Sequence, residues 1–303
     1  MPASAQRTGL DDVQVVINTY GRDAWYAGRA IASVLQQQHR PGRIHLIDQN
    51  SVPLVLAPEF QAEPSLVVHR RPDARGACAR NTLLEFPAAG WIAFLDDDAH
   101  WIDGYSERLI ALLENDPGLD LIAGAVLDET TGRPYSFRQQ LGGRLDHFPG
   151  SKLLAGANFL VKAEAFARVG GYDSRLGPGT ALPSSEEADL CWRLLVGGAR
   201  ALYAPDLAVL HPPMHFDEVG LAARKAYRYG LGKGALAAIW LIEKHHIYGL
   251  LEFIEMTGVP FFSLVRGLLR GDLRQLRIQP AQWWGRQRAF WTLSAQLITR
   301  RTP

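Results

Sequence analysis

Three consecutive aspartates, Asp96-Asp97-Asp98, follow the apolar run Trp91-Ile92-Ala93-Phe94-Leu95 without an intervening turn. Adjacent carboxylates repel one another, and such a cluster persists most easily when a cation neutralises it. Carboxylate oxygens are hard donors that suit Mg2+ or Mn2+, and an ion held there could clamp a diphosphate. The competing reading is a solvated acidic turn. Asp48 closes a second apolar run, Ile44-His45-Leu46-Ile47, as an acceptor for a base or ribose donor or as a turn residue. Arg75, Arg80 and Asn81 surround Gly76 ahead of a helix, a place for phosphate contacts or a surface ion pair. Glu186-Glu187-Ala188-Asp189 opens a helix after a Gly/Pro-rich segment. Acids there are favoured by the helix dipole, and one of them could act as a general base. His211 ends an apolar strand, as a metal ligand or simply as a strand-ending histidine.

These residues need elements to position them. Val13–Ile17, Ile44–Ile47, Leu66–Val68 and Trp91–Leu95 are short strand-like runs, and helical spacing of Ala27, Ile31, Val34 and Leu35 lies between the first two. A further helix is predicted around Ala79–Phe86, and another over Asp103–Asn115 with Asp103 as its cap. Leu119–Leu127 and Leu153–Val161 read as strands around an unassigned, turn-rich Asp128–Gly150. A short helix to Val169 follows. Arg175–Ser185 carries Gly177, Pro178, Gly179 and Pro183 and reads as a mobile loop, a candidate lid. Glu186–Val196 is helical, and Ala201–Tyr203 and Leu207–Leu210 are two strands. Repeated β-α units argue for a mainly parallel sheet covered on both faces, with ligands at the carboxyl ends of its strands. Beyond Pro213 the pattern is helical, interrupted by Pro260, Gly271 and Pro280.

Length and composition narrow the classes. At 303 residues the chain is long enough for about two domains, or for one large α/β domain with an appendage. Hydrophobic residues at 47% and charged residues at 21% exclude disorder as a global description. Two cysteines, Cys78 and Cys191, make neither a disulfide framework nor a cysteine zinc site, and fit reduced core thiols of a cytosolic protein. Met1–Asp12 is polar and lacks the apolar core of a signal peptide. No run reaches 18 uninterrupted apolar residues, so a spanning helix is not expected. The net charge of +1 conceals an asymmetry: from Asp217 onward there are 13 Lys+Arg against 6 Asp+Glu. A basic tail suggests a polyanion or a membrane surface.

In their order and spacing these motifs resemble the family 2 glycosyltransferases of the GT-A fold, over roughly Val13 to Pro213. The resemblance rests on Val15-Val16-Ile17-Asn18-Thr19-Tyr20-Gly21-Arg22, Leu46-Ile47-Asp48-Gln49-Asn50-Ser51 and Arg75-Gly76-Ala77-Cys78-Ala79-Arg80-Asn81. It continues through Ile92-Ala93-Phe94-Leu95-Asp96-Asp97-Asp98, Gly170-Gly171-Tyr172-Asp173, Glu186-Glu187-Ala188-Asp189-Leu190-Cys191-Trp192-Arg193-Leu194 and His211. It implies an α/β fold: a mainly parallel GT-A sheet flanked by helices, with a C-terminal helical extension. The corresponding domains would be 1–215, catalytic and nucleotide-sugar-binding, and 216–303, helical, basic and aromatic. It implies transfer of a sugar from a nucleotide-diphosphate donor to an acceptor hydroxyl, usually with inversion, aided by Mn2+ or Mg2+. By resemblance Thr19, Tyr20 and Asp48 surround the nucleobase and ribose, and Arg80 lies near the diphosphate. Asp96 and Asp98 are the outer acids of an Asp-x-Asp motif, and Asp96 and Asp97 also count among the donor contacts. Asp96, Asp98 and His211 form the metal set. Glu187 falls at the catalytic-base position, with Asp189 as the alternative. The chain departs from the family pattern at Asn18, often Pro; at Gln49, commonly Asp; and at Glu187, usually Asp.

Three other readings compete. A sugar nucleotidylyltransferase would carry a Gly-rich first loop with a basic residue, unlike Thr19-Tyr20-Gly21-Arg22-Asp23. A haloacid-dehalogenase-like phosphatase would place Thr or Val where His100 stands. A non-catalytic sugar- or nucleotide-binding module would not need both acid clusters. The acceptor is left open among a glycan, a lipid-linked sugar and a small molecule, and no nucleic-acid partner is expected. Over 260–303, eight Arg and one acid alternate with Trp, Phe and Leu, as in an interfacial helix at anionic lipid or a helical subdomain that packs its aromatics against the catalytic body or a second subunit. The expected location is cytoplasmic, peripheral on the inner membrane face if the tail binds lipid.

Overall fold

The β-branched run that opens the chain forms the centre of an eight-stranded sheet. In a computed structural model of the protein, residues 9–74, 76–86, 90–141, 143–148, 153–213 and 219–299 are described. The strands are β1 (Leu10–Thr19), β2 (Pro41–Asp48), β3 (Leu66–Arg70), β4 (Trp91–Asp96), β5 (His100–Trp101), β6 (Leu121–Asp128), β7 (Asn158–Lys162) and β8 (Ala201–His211). They lie in the order β3-β2-β1-β4-β7-β6-β8-β5. Pairings β1-β2, β1-β4, β2-β3 and β6-β8 are parallel, while β7 runs antiparallel to both β4 and β6, and β5 to β8. The carboxyl ends of β1, β2, β3, β4, β6 and β8 therefore share one edge. The order reverses between β1 and β4, the place where open α/β sheets leave a ligand crevice.

Side chains along the strands alternate between two cores, as a sheet covered on both faces requires. Val13, Val15 and Ile17 of β1 and Trp91, Ala93 and Leu95 of β4 pack on one face with Ala27, Ile31 and Val34 of α1 (Ala24–Leu35). Val16, Ile92 and Phe94 pack on the other with Leu190, Cys191 and Leu194. Cys191 is buried, Cys78 half-buried, and both are free thiols.

Several elements differ from their sequence-based expectation. The predicted helix after β3 is a 3-10 helix over Gly76–Glu85. At three residues per turn Ala77, Arg80 and Leu83 eclipse one another on one buried face, which fixes where Arg80 points. Between β2 and β3, α2 (Pro58–Gln61) is a single turn. Asp103 does not cap α3 (Tyr105–Asn115): Gly104 holds the N-cap, and the Asp103 carbonyl accepts from Arg108 at 2.7 Å. The turn-rich middle contains α4 (Phe137–Leu141). The strand predicted from Leu153 begins only at Asn158, and α5 (Ala163–Arg168) follows it directly. The two predicted final strands are one strand, β8. Its register against β6 shifts between Gly124↔Ala204 and Ala125↔Ala208, so Pro205, Asp206 and Leu207 bulge out. Proline cannot donate to the ladder, which is why the sequence looked broken there.

The chain separates into two compact units. The first is the sheet unit, residues 1–172 and 190–213; the second joins 173–189 to the residues from 214. The expected boundary at 215/216 falls outside the described residues. The helix α6 (Glu186–Val196) begins in the second unit and ends in the first. Within the second unit, α7 (Val219–Ala238) runs into a π-helical turn (Ile239–Glu243), followed by α8 (Ile247–Arg270) and α9 (Leu273–Thr299). The backbones of α7 and α9 nearly touch: a Cβ on Gly234 would lie 2.0 Å from the Arg286 carbonyl oxygen, so only glycine fits. Gly271 ends α8, but Pro260 and Pro280 lie inside α8 and α9 rather than interrupting them. Pro260 deprives the Met256 carbonyl of its helical donor, and the buried Arg286 of α9 supplies one at 3.0 Å.

The expected mobile loop is tied down inside this unit. Gly177 donates to the Leu182 carbonyl at 2.9 Å and Ser184 Oγ to the Tyr229 carbonyl at 2.7 Å. Arg175 forks between Asp173 and Glu243, each at 2.6 Å. Any lid motion of this segment has to break these contacts.

Candidate active site

The acids stand at the crevice because β1 and β4 are paired in register, with Asn18 opposite Asp96 and, on the other side, Thr19 opposite Asp48. Asp96 is half-exposed and is held by Arg80 at 2.6 Å. Asp97 turns inward, accepting from Thr19 Oγ1 at 2.7 Å. Burial raises its carboxyl to about 6 against the opposing pull of Thr19 and Arg22. Asp98 faces His211 Nε2 at 3.3 Å. Burial opposes its ionisation, but His211 and Arg22 hold its carboxyl below the usual aspartate range. The His211 imidazole is in turn raised: burial works against its charge, and the bond and field of Asp98 outweigh it. Its Nδ1 lies 2.7 Å from the Pro212 carbonyl. That contact fixes Nδ1 as the donor and turns Nε2 toward Asp98, as a backbone carbonyl commonly does for a metal-ligating histidine.

One ligand atom from each of Asp96, Asp98 and His211 lies within 4.8 Å of the others. Two carboxylates and an imidazole form a mixed hard and borderline donor set, which fits Mn2+ or Mg2+. An ion there would take the place of the proton that His211 shares with Asp98.

Arg22, in the turn after β1, contacts both remaining acids, Asp97 at 3.1 Å and Asp98 at 2.6 Å. Nothing in its local spacing announces this. It follows from the turn after β1 folding back across the strand ends.

The residues expected around a nucleotide separate into two groups. Tyr20 is 62% exposed at the end of β1 and presents an aromatic face at the rim, whereas Thr19 is buried. Asp48 is buried, and its two oxygens accept from Asn50 (backbone and side chain), the Leu54 backbone and Arg70. Burial opposes its ionisation, and these donors still hold it below the usual range. Four donors fill a carboxylate's acceptor sites, so a nucleoside reaching Asp48 has to displace one of them.

Arg80, expected beside a diphosphate, is also buried. It donates to Asn18 Oδ1 at 2.6 Å, the Gly156 carbonyl at 3.0 Å, Tyr172 OH at 3.3 Å and Asp96 at 2.6 Å. Its nearest chemistry is the orientation of Asp96. Tyr172 reaches it from the Gly170-Gly171 turn. Gly171 at φ 67° lets the Tyr172 backbone N–H meet Asn81 Oδ1 at 2.8 Å. Arg75 lies outside the described residues.

The second acid group lies at the start of α6. Ser185, at φ 76°, is in the left-handed region that a residue with a Cβ enters at a cost, and α6 begins at the next residue. Glu187 is partly exposed, whereas Asp189 is fully buried. Trp240, on the π-helical turn, donates its indole N–H to Asp189 at 2.8 Å. Trp240 carried no signal in the sequence beyond its place in an aromatic tail. The π-turn that presents it is a device often found at functional sites.

Comparison with known proteins identifies the family and the fold. The family model described as glycosyl transferase family 2 matches residues 14–169. Over 208 residues, 64% of the chain, there is 31% identity to pre-mycofactocin glycosyltransferases of Mycobacterium tuberculosis, and the chain spans 42% of their length. Over 214 residues, 66% of the chain and 68% of the relative, there is 27% identity to a glucosyl-dolichyl phosphate glucuronosyltransferase of Haloferax volcanii. The solved mannosyltransferase PcManGT of Pyrobaculum calidifontis, in complex with GDP-Man and Mn2+, superposes with a TM-score of 0.59 at 15% identity. That superposition covers 96% of this chain and 88% of that one and supports a GT-A-type fold.

Proposed function

This chain belongs to glycosyl transferase family 2 and is a transferase, and from that premise we propose how it moves a sugar. The donor is a nucleotide-diphosphate sugar, seated at the β1/β4 crevice with its base toward Tyr20. The observation that carries this reading is the convergence of Asp96, Asp98 and His211 within 4.8 Å at the strand ends. The GDP-Man and Mn2+ of the PcManGT complex support the same donor class and the use of a divalent ion. When bound to these three residues, Mn2+ or Mg2+ would supply Lewis-acid stabilisation of the departing diphosphate oxygens.

The chain's own groups do the rest. Arg80 keeps Asp96 oriented, and the Pro212 carbonyl keeps the His211 Nε2 lone pair directed at the site. Glu187 acts as the general base. It takes the proton of an acceptor hydroxyl while that oxygen attacks the anomeric carbon and the bond to the nucleotide diphosphate breaks, which inverts the centre. Positioned bases of this kind contribute roughly 10²–10⁴-fold. The partial exposure of Glu187, set against the burial of Asp189 and its bond from Trp240, supports Glu187 as the base and Asp189 as the anchor of the first turn of α6.

The test is incubation of the full chain with individual nucleotide sugars, with Mn2+ and with a chelator, while nucleoside diphosphate release is followed. Release with one donor, abolished by the chelator, is the expected result. A panel in which no donor is bound or consumed would overturn the reading.

A further inference from the structure

The second unit carries a helix of inverted polarity. The residues of α8 that face its own unit are Gly249, Glu252, Met256, Pro260 and Gly267, and Glu252 is fully buried in an ion pair with Lys233 of α7. The outward stripe is Ile247, Leu251, Ile254, Phe261, Val265 and Leu268, at the spacing of one helical face. Phe262 at 72% and Leu269 at 83% exposure extend it. A helix on the surface of a soluble unit shows the opposite arrangement, and a continuous apolar face of this length marks an interaction surface.

Charge selects the occupant. From Pro260 onward the chain has eight Arg and one acid. On α9, Trp284, Arg288 and Trp291 fall on one helical face and are exposed, which interleaves aromatic and cationic groups. A second copy meeting this face would bring arginines against arginines, because a two-fold contact pairs a surface with itself. An anionic bilayer neutralises the arginines and takes up the apolar stripe.

Packing selects the depth. Among the described residues, α8 is the one helix long and apolar enough to cross a membrane, against the expectation that there would be none. Yet α9 is bound along it, by Arg286 to the Met256 carbonyl at 3.0 Å, Gln287 to Thr257 at 2.9 Å, and Phe253 against Phe290 with ring centres 4.4 Å apart. A spanning α8 would drag this mid-level part of α9, with the exposed Arg288, into hydrocarbon, which is costly. We therefore propose that α8 lies flat in the headgroup region of an anionic membrane, inserting its Ile247-to-Leu269 face, with the exposed Arg266, Arg270, Arg274, Arg277 and Arg288 on lipid phosphates.

Full-length protein, vesicle flotation and tryptophan emission test this without any sugar substrate, so the outcome is independent of the transferase reading. With phosphatidylcholine–phosphatidylserine vesicles at low salt the protein floats, its emission shifts to the blue, and binding exceeds that to phosphatidylcholine alone about tenfold. High salt weakens it. Phe262→Glu and Leu269→Glu, at exposed positions, lose binding about tenfold or more while keeping the parental melting temperature. Arg266→Gln with Arg270→Gln loses only the preference for anionic lipid. The proposal fails if the protein ignores anionic vesicles at low salt, or if both glutamate variants bind like the parent. Retention in vesicles through alkaline carbonate extraction would mean a spanning helix. A concentration-dependent dimer dissolved by Phe262→Glu, without vesicle binding, would give the face to a second copy.

Discussion

Asn18 donates a hydrogen bond to Gln49 at 3.3 Å, joining the two positions at which the strand-end motifs depart from the family pattern. The pair is part of a chain of contacts. Asn18 Oδ1 also accepts from Arg80, and Gln49 donates to the Ala74 and Gly76 carbonyls at 3.2 and 3.4 Å. A proline at position 18 would have no side-chain acceptor for Arg80, and an aspartate at 49 no donor for the two carbonyls. Together these contacts tie the start of the 3-10 helix to β1 and β2. Asn18→Ala frees the Arg80 Nε–H in a buried place and should weaken Mn2+-dependent nucleotide affinity about tenfold. Asn18→Ala and Gln49→Ala together should cost less stability than the sum of the two, by about 1 kcal/mol in a denaturation cycle.

Asp98→Ala should abolish Mn2+-dependent binding of nucleoside diphosphate in calorimetry and leave the fold intact. Arg22 is paired with the same carboxylate, so Arg22→Gln should do the opposite to the bare ion. Without nucleotide, Mn2+ should bind about tenfold more tightly, the worth of one charge-assisted contact. Equal Mn2+ affinity in parent and Arg22→Gln would show that the guanidinium does not occupy the site in solution.

Glu187→Gln keeps the size of the side chain and removes its basicity. Turnover should fall by roughly 10²-fold or more with donor affinity little changed. Asp189→Asn and Trp240→Phe should instead lower the melting temperature and turnover together, because they disturb a buried hydrogen bond. If Asp189→Asn is inactive at full stability while Glu187→Gln turns over, the roles of the two acids are reversed.

On the sheet itself, buried His45 donates from Nε2 to Gln14 Oε1 at 3.0 Å and accepts at Nδ1 from His69 at 2.8 Å. Burial first, then His69 and Arg43, lower its imidazole from 6.5 to about 4. The folded state therefore binds this proton less readily than the unfolded chain. The associated stability is complete above pH 6.5 and is lost as the pH falls from 6.5 to about 4. The loss is about 3 kcal/mol. Chemical denaturation from pH 7 to 4 should show it, and His45→Gln should flatten that part of the profile.

The sheet was legible because its signals are local: β-branched runs, the acids that end them and the period of two. The convergence of Asp96, Asp98 and His211 was legible for the same reason, each member standing at or just past a strand end. The contacts of Arg80 were not legible, because the three-residue turn of a 3-10 helix, which aims it at Asp96, has no clear sequence mark. Arg22 and Trp240 carry no local signal of their roles. Their partners, Asp98 and Asp189, lie 76 and 51 positions away, and no periodicity reports a contact at that distance. The helices survived Pro260 because Arg286, a residue of another helix, supplies the missing donor, a compensation invisible from the proline's own neighbours.

The membership of residues 173–189 in the C-terminal unit bears on how the protein can be handled. A fragment ending at Pro213 keeps every strand, together with Asp96, Asp98 and His211. It lacks Tyr229, Trp240 and Glu243, the partners of Ser184, Asp189 and Arg175. Such a truncation should purify as a well-behaved nucleotide binder while the turn bearing Glu187 frays. An assay on it would report an inert protein, and the error would lie in the cloning boundary rather than in the enzyme.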